Sequence, residues 1–214
     1  MLFNEIKEIS KKIASCIIMF SCGRDSIVML DLFHKYFKNK TKILYLYFYP
    51  NLSIRNEIIK YYENQYEIKI EQFPHWDTSY LYLKKIKFKQ KDIEDYYRYK
   101  YNISYIAYGY RRSESIQRFG MLNNSNIKNG IDLKNKKCYP LMNWSRKQIE
   151  YYIKKERLKL SVDYYSGYRD INVFKGDALL WLYNNHKEDY EKIKIVYPGI
   201  EGELIRAKDG IGAI

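Results

Sequence analysis

Six consecutive residues, Ser21-Cys22-Gly23-Arg24-Asp25-Ser26, bring together two hydroxyls, a glycine, a permanent cation and a carboxylate. That mixture suits the binding of phosphate or sulfate. Gly23 lets backbone approach an anion closely, Ser21 and Ser26 offer hydroxyl donors, and Arg24 adds a fixed guanidinium fork. Asp25 has two readings: a partner for the positive end of a helix dipole, or a functional contact to Mg2+ or to loop donors. Cys22 also has two. It is a packed loop thiol, the commoner outcome, or a thiol activated by a helix N-terminus and Arg24. The G-x-x-x-x-G-K-S/T pattern of the common P-loop occurs nowhere in the chain.

These residues need a strand before them and a helix after. Ala14 to Phe20 is short, mostly apolar and partly β-branched, which reads as a buried strand. Ile27, Val28, Leu30, Leu32, Phe33 and Phe37 recur at spacings that give the following helix one broad apolar face. A strand that turns through a small-residue loop into a helix leaves the first helical N–H groups without intrahelical acceptors. Those donors and the macrodipole together make an anion site.

A second constellation lies in mid-chain. Tyr105 to Tyr110 reads as a strand, and Gly109, Arg111, Glu114, Ser115 and Arg118 follow at spacings G-x-R-x-x-E-S-x-x-R. Further on stands Tyr139-Pro140-Leu141-Met142-Asn143-Trp144-Ser145. The first segment resembles the S-G-G-x-D-S signature of the PP-loop, or adenine nucleotide alpha-hydrolase, superfamily. Ser21, Gly23, Asp25 and Ser26 match it; Cys22 departs, and Arg24 stands where Lys is frequent. The other two segments resemble the G-x-R-x-x-E-S-x-x-R and P-L-x-x-W segments of the phosphoadenosine phosphosulfate reductase family within that superfamily. The three matches occur in the family's order, from Ser21 to about Leu158.

This resemblance implies a Rossmann-like fold that binds ATP or phosphoadenosine phosphosulfate. Phosphates would lie on Ser21–Ser26 and adenine near Tyr47 and Phe48, with Gly109 and Arg111 in the same crevice. Arg111 and Arg118 would clamp anions, and Glu114 would orient one of them. Arg24, Asp25 and Arg111 would carry catalysis. Related PP-loop enzymes cleave ATP between its α and β phosphates and form an adenylated intermediate. Such chemistry needs positioning and charge neutralisation more than a strong base. Two alternatives stand beside it: a sulfonucleotide enzyme that uses external thiols, and a nucleotide-binding regulator without chemistry.

Reductases of the family carry a cysteine in a C-terminal E-C-G-x-H-like tail, and many add cysteine pairs that hold an iron–sulfur cluster. Here the cysteines are Cys16, Cys22 and Cys138, and Gly167 to Val173 resembles the family's G-Y-x-S-I-G-C stretch with Asn172 and Val173 replacing Gly and Cys. A cluster takes about four thiolates. Three scattered ones predict no iron–sulfur cluster, and thiol-dependent reduction is not expected.

The chain has 214 residues and 46% hydrophobic composition, enough for a full core and too apolar for disorder. No membrane span or signal peptide is visible, and cysteines are few, so a cytoplasmic protein without a membrane partner is expected. The alternation of elements predicts a doubly wound, mostly parallel five-stranded α/β sheet with helices on both faces. Residues 1–160 would form the nucleotide-binding domain and 161–214 an extension packed on it. A homodimer is compatible with all of this. Asn123 to Asn135 reads as a mobile loop, and Ser145 with Gln148 as a capping box. The net charge is +13, and lysines interleave with aromatic residues between Tyr80 and Tyr101. This pattern suits RNA or single-stranded DNA as well as an adenine nucleotide, because cations pair phosphates and rings stack on unpaired bases.

Overall fold

The computed structural model describes residues 3–37, 40–165 and 176–209. Asn4–Lys12 forms α1, Cys16–Phe20 β1, Arg24–Phe37 α2, Thr41–Tyr47 β2, Ser53–Tyr66 α3 and Ile70–Pro74 β3. Ser79–Tyr82 and Gln90–Tyr101 are α4 and α5, followed by Tyr105–Ala107 as β4 and Ile116–Leu122 as α6. Three two-residue strands come next: β5 Ile127–Lys128, β6 Ile131–Asp132 and β7 Lys137–Cys138. Arg146–Glu156 is α7, Val162–Tyr165 α8, Gly176–Asn185 α9, Lys187–Val196 α10 and Ile200–Lys208 α11.

The strands form one sheet in the order β3-β2-β1-β4-β7-β6-β5, parallel except where β6 pairs antiparallel with β5 and β7. Side chains alternate across it. Cys16, Ile18 and Phe20 pack with α1, α2, α3 and α7, while Ile17 packs with Ile93 and Tyr97 of α5 on the other face. Central strands buried on both faces explain the unbroken apolar run of β1. The expected α/β architecture holds, with seven strands rather than five. The difference comes from the polar stretch read as a mobile loop. There Asn129 and Gly130 take φ of 50° and 78° and close a tight β5–β6 turn with Lys128 opposite Ile131. An Asn-Gly pair at positive φ is a strong hairpin signal even where the flanking strands are minimal.

Beyond Leu160 the apolar spacing is weak, yet helices form there too. Leu179, Leu182, Ile193 and Ile200 pack on Leu52 and Ile54 at the start of α3. Asp189 of α10 accepts from the backbone N–H of Ser53 at 2.7 Å and of Ile54 at 3.1 Å, and from the Ser53 hydroxyl at 2.9 Å. A carboxylate 136 residues away thus caps α3, a task Leu52 at its N-cap cannot perform. The capping box of α7 forms as its sequence suggests: Gln148 N–H donates to Ser145 Oγ at 3.3 Å, and Ser145 N–H to Gln148 Oε1 at 2.7 Å. Among the described residues no helix is long and apolar enough to cross a membrane.

Candidate functional site

From β1 the chain winds outward through β2 to β3, then crosses back to place β4 on the other side of β1. The strands' carboxyl ends part at such a switch point, where open α/β sheets take their ligands. A cavity of about 260 Å3 lies there. Ser21, Gly23, Arg24, Asp25 and Ser26 line one side; Leu46, Phe48, His75, Trp76, Tyr110 and Glu114 are among the rest.

The loop is built from its own hydroxyls. Ser26 Oγ donates to Gly23 O at 2.8 Å and pairs with Ser21 Oγ at 3.1 Å, while Ile27 N–H donates to Gly23 O at 2.9 Å. The amides of Arg24, Asp25 and Ser26 precede that first helical bond, so they are the donors a bound anion would meet. Gly109 completes the cradle from β4. A Cβ there would lie 3.3 Å from Asp25 C and 3.4 Å from its O, so any larger residue would press the first turn of α2 back by a few tenths of an ångström.

Cys22 has φ of 61° at the position where the family pattern has glycine, and its side chain joins the core rather than the cavity. Burial pushes its thiol up to about 12, against a smaller lowering by Arg55. The activated-thiol reading and a side-chain contact to ligand are both corrected: loop geometry turns this thiol inward.

The arginines also divide differently from the expectation. Arg111 is buried, donates from Nε and Nη2 to the two carboxylate oxygens of Asp25 at 2.8 and 3.3 Å, and reaches Ser113 Oγ at 3.0 Å. It pairs with the loop's own carboxylate and lines none of the cavity, so the clamp reading is corrected. The same pair occupies the oxygens of Asp25 that were expected to face Mg2+. Asp25, not Glu114, therefore orients Arg111. Glu114 is exposed at the mouth without an ion pair among the described residues. Arg118 lies 3.4 Å above the ring of Tyr110, a stacked cation on a wall of the cavity rather than a free clamp. Arg24 faces the cavity and donates to Glu150 of α7 at 3.1 Å.

The opposite wall is aromatic. Phe48 stacks on His75 at 4.0 Å between centroids, and Trp76 lies against His75 at 3.6 Å, tilted by 36°. Tyr47 faces away onto Tyr82, while its carbonyl accepts from His75 N–H at 2.8 Å. Neither His75 nor Trp76 belongs to a motif that the sequence points to. The available signal was their place at the carboxyl end of β3, the same edge as the loop. Burial lowers the His75 pKa to about 4, with Asp77 opposing weakly, so the ring is neutral at physiological pH and offers a stacking face.

The cysteines are not scattered. Cys16 and Cys138, from β1 and β7 on either side of β4, bring their sulfurs to 3.5 Å in the buried core. The Gly167–Val173 resemblance lies outside the described residues.

Residues 15–175 match the family model for the phosphoadenosine phosphosulfate reductase domain. No curated protein matches the chain. Among solved structures, the U34-tRNA thiolase NcsA from Methanococcus maripaludis with its 4Fe–4S cluster is similar at TM-score 0.52 and 15% identity, over 95% of this chain and 80% of that one. A phosphoadenylyl-sulfate reductase from Candida auris, in a phosphate complex, reaches 0.53 at 13% identity, over 78% and 85%. The NH3-dependent NAD synthetase from Campylobacter jejuni, with nitrate, reaches 0.52 at 14% identity, over 97% and 93%. The expected absence of an iron–sulfur cluster does not stand. A similar fold carries one, and two of the three thiols assumed to be scattered are in contact. Among the described residues no three potential metal ligands gather. With the family model spanning well over half of the sequence, this chain belongs to the phosphoadenosine phosphosulfate reductase family of the PP-loop superfamily.

Proposed function

We propose that this chain is an adenine-nucleotide-binding enzyme that cleaves ATP between its α and β phosphates and passes the adenylyl group to an acceptor. The observation that carries this reading is the pairing, in one crevice, of an open helix N-terminus with an aromatic wall. Loop amides and Arg24 suit the phosphates, and the Phe48–His75–Trp76 wall suits a base. An acceptor oxygen attacks the α-phosphorus, the bond to the oxygen bridging α and β breaks, and pyrophosphate leaves. Charge neutralisation by amides and Arg24 serves that step. With a net charge of +13, a nucleic acid is the favoured acceptor class.

Reduction of a sulfonucleotide by the chain's own thiols finds less support. Cys22 is buried with its thiol raised to about 12, and no cysteine follows Cys138. Calorimetric titration with ATP, alongside pyrophosphate release with and without RNA or single-stranded DNA, tests the proposal. Gly23→Val should abolish binding. Arg24→Ala should weaken it by about 1–3 kcal/mol, the range of a charged hydrogen bond, while stability moves by less than about 1 kcal/mol because the Glu150 partner is solvent-accessible. Unchanged ATP affinity in both variants, or sulfite release from phosphoadenosine phosphosulfate with thioredoxin, would overturn it.

A further inference from the structure

We infer that the lysine-rich turn between α4 and α5 is the docking surface for a single-stranded or looped nucleic acid, which it feeds to the crevice as acceptor. This deepens the adenylation reading and rests on it. Between Asp77 and Asp92 the chain has no acidic residue, yet it carries Lys84, Lys85, Lys87, Lys89 and Lys91. All five are exposed; Lys91 pairs with Asp95, whereas among the described residues Lys84, Lys85 and Lys87 have no ion pair. By contrast, Lys35 faces Glu156, Lys137 faces Glu94 and Lys159 faces Glu57. Within this turn no carboxylate of the segment itself offsets the lysines.

The turn is also held in an unfavourable backbone conformation. Lys84 and Lys85 have φ of 50° and 66°, two successive L residues in the left-handed region. Buried Ser79 helps to hold them there: its Oγ accepts from Phe88 N–H at 3.1 Å and donates to Trp76 O at 3.2 Å. Lys85 N–H donates to Tyr80 O at 3.1 Å. Tyr82 then donates its hydroxyl to Phe48 O at 2.8 Å. Trp76 and Phe48 are walls of the cavity, so α4, which leads directly into the lysines, is tied to that wall by two hydrogen bonds.

Beside the cations, Tyr80 is 46% and Ile86 55% exposed. Point charges suit phosphates without regard to sequence, and an exposed ring finds a free π-face only where bases are unpaired. A membrane surface would also accept lysines and apolar side chains. The turn's attachment to the walls of the reaction crevice favours a partner that is itself a reactant.

Anisotropy of a labelled single-stranded RNA and a single-stranded DNA, titrated at several salt concentrations, tests this with the full chain. The variant Lys84→Asn/Lys85→Asn/Lys87→Gln removes three charges and retains side chains that tolerate positive φ, so the turn keeps its shape. The log–log salt slope should flatten by about 2, at roughly 0.7 per phosphate on a single strand. A blunt duplex of the same sequence should bind at least about tenfold more weakly than the single strand, the worth of one stacked base. ATP affinity should stay unchanged in the variant. An unaltered slope overturns the inference, as does equally tight binding to heparin or to phosphatidylserine-containing vesicles. Wild-type protein that binds the single strand through these lysines but not ATP would leave this surface standing and overturn the nucleotide reading instead.

Discussion

Helices α2 and α3 begin at the same carboxyl edge of the sheet, after adjacent strands, and their first turns are treated oppositely. At α3 the amides of Ser53 and Ile54 are closed by the carboxylate of Asp189. At α2 the first turn opens on the cavity, and the carboxylate within it, Asp25, is engaged by Arg111. Every helix N-terminus attracts anions. On the proposed reading, α2 takes the ligand because no carboxylate from elsewhere in the fold closes its first turn and Arg111 balances the one within it. Arg111 would then be a positioning residue, leaving the amides and Arg24 a net attraction for phosphate.

The largest test of this contrast is Arg111→Ala. It strands Asp25 without its partner and removes the bond to Ser113, so unfolding in urea should show a loss of about 3 kcal/mol. ATP affinity should fall as well, because an unbalanced carboxylate would then stand among the phosphate donors. Stability within about 0.5 kcal/mol of wild type would show that the pair does not hold the loop.

Asp189→Ala should cost about 2 kcal/mol by reopening α3, with ATP affinity unaffected. The wild type should show a matching acid dependence. Burial alone would raise the Asp189 pKa, but the Ser53 and Ile54 amides, the Ser53 hydroxyl and Lys192 outweigh it and hold the carboxyl below its usual value. A group whose folded pKa is depressed stabilises above its unfolded pKa, near 3.9, and loses that contribution as pH falls through the lower folded value. The gap between wild type and the Ala variant should therefore narrow as pH falls from about 3.9 toward about 2. A gap between the two that stays constant down to that pH would remove Asp189 as the closing charge.

The smallest effect concerns Cys22. With its thiol raised to about 12 and buried, it should resist iodoacetamide in the native protein at neutral pH and react only after unfolding. Peptide mapping of the alkylated protein checks this. Rapid native labelling at Cys22, suppressed by ATP, would restore the thiol to the crevice.

The strand–loop–helix at Ser21–Ser26, the α7 capping box and the α/β order were legible from residues alone, because each signal lies within one or two turns of chain. The Asn129–Gly130 hairpin was equally local and was passed over for its polar surroundings. By contrast, Arg111 reaches Asp25 across 86 positions, Asp189 reaches Ser53 across 136, and Cys16 meets Cys138 across 122. Periodicity and spacing determine which way a side chain leaves its own element. Strand order determines what waits there. The placement of β4 and β7 beyond β1 turned a presumed anion clamp into the partner of Asp25 and brought two cysteines together across one strand, while β3 on the other side of β1, beyond β2, set His75 and Trp76 opposite the loop as the wall of the crevice.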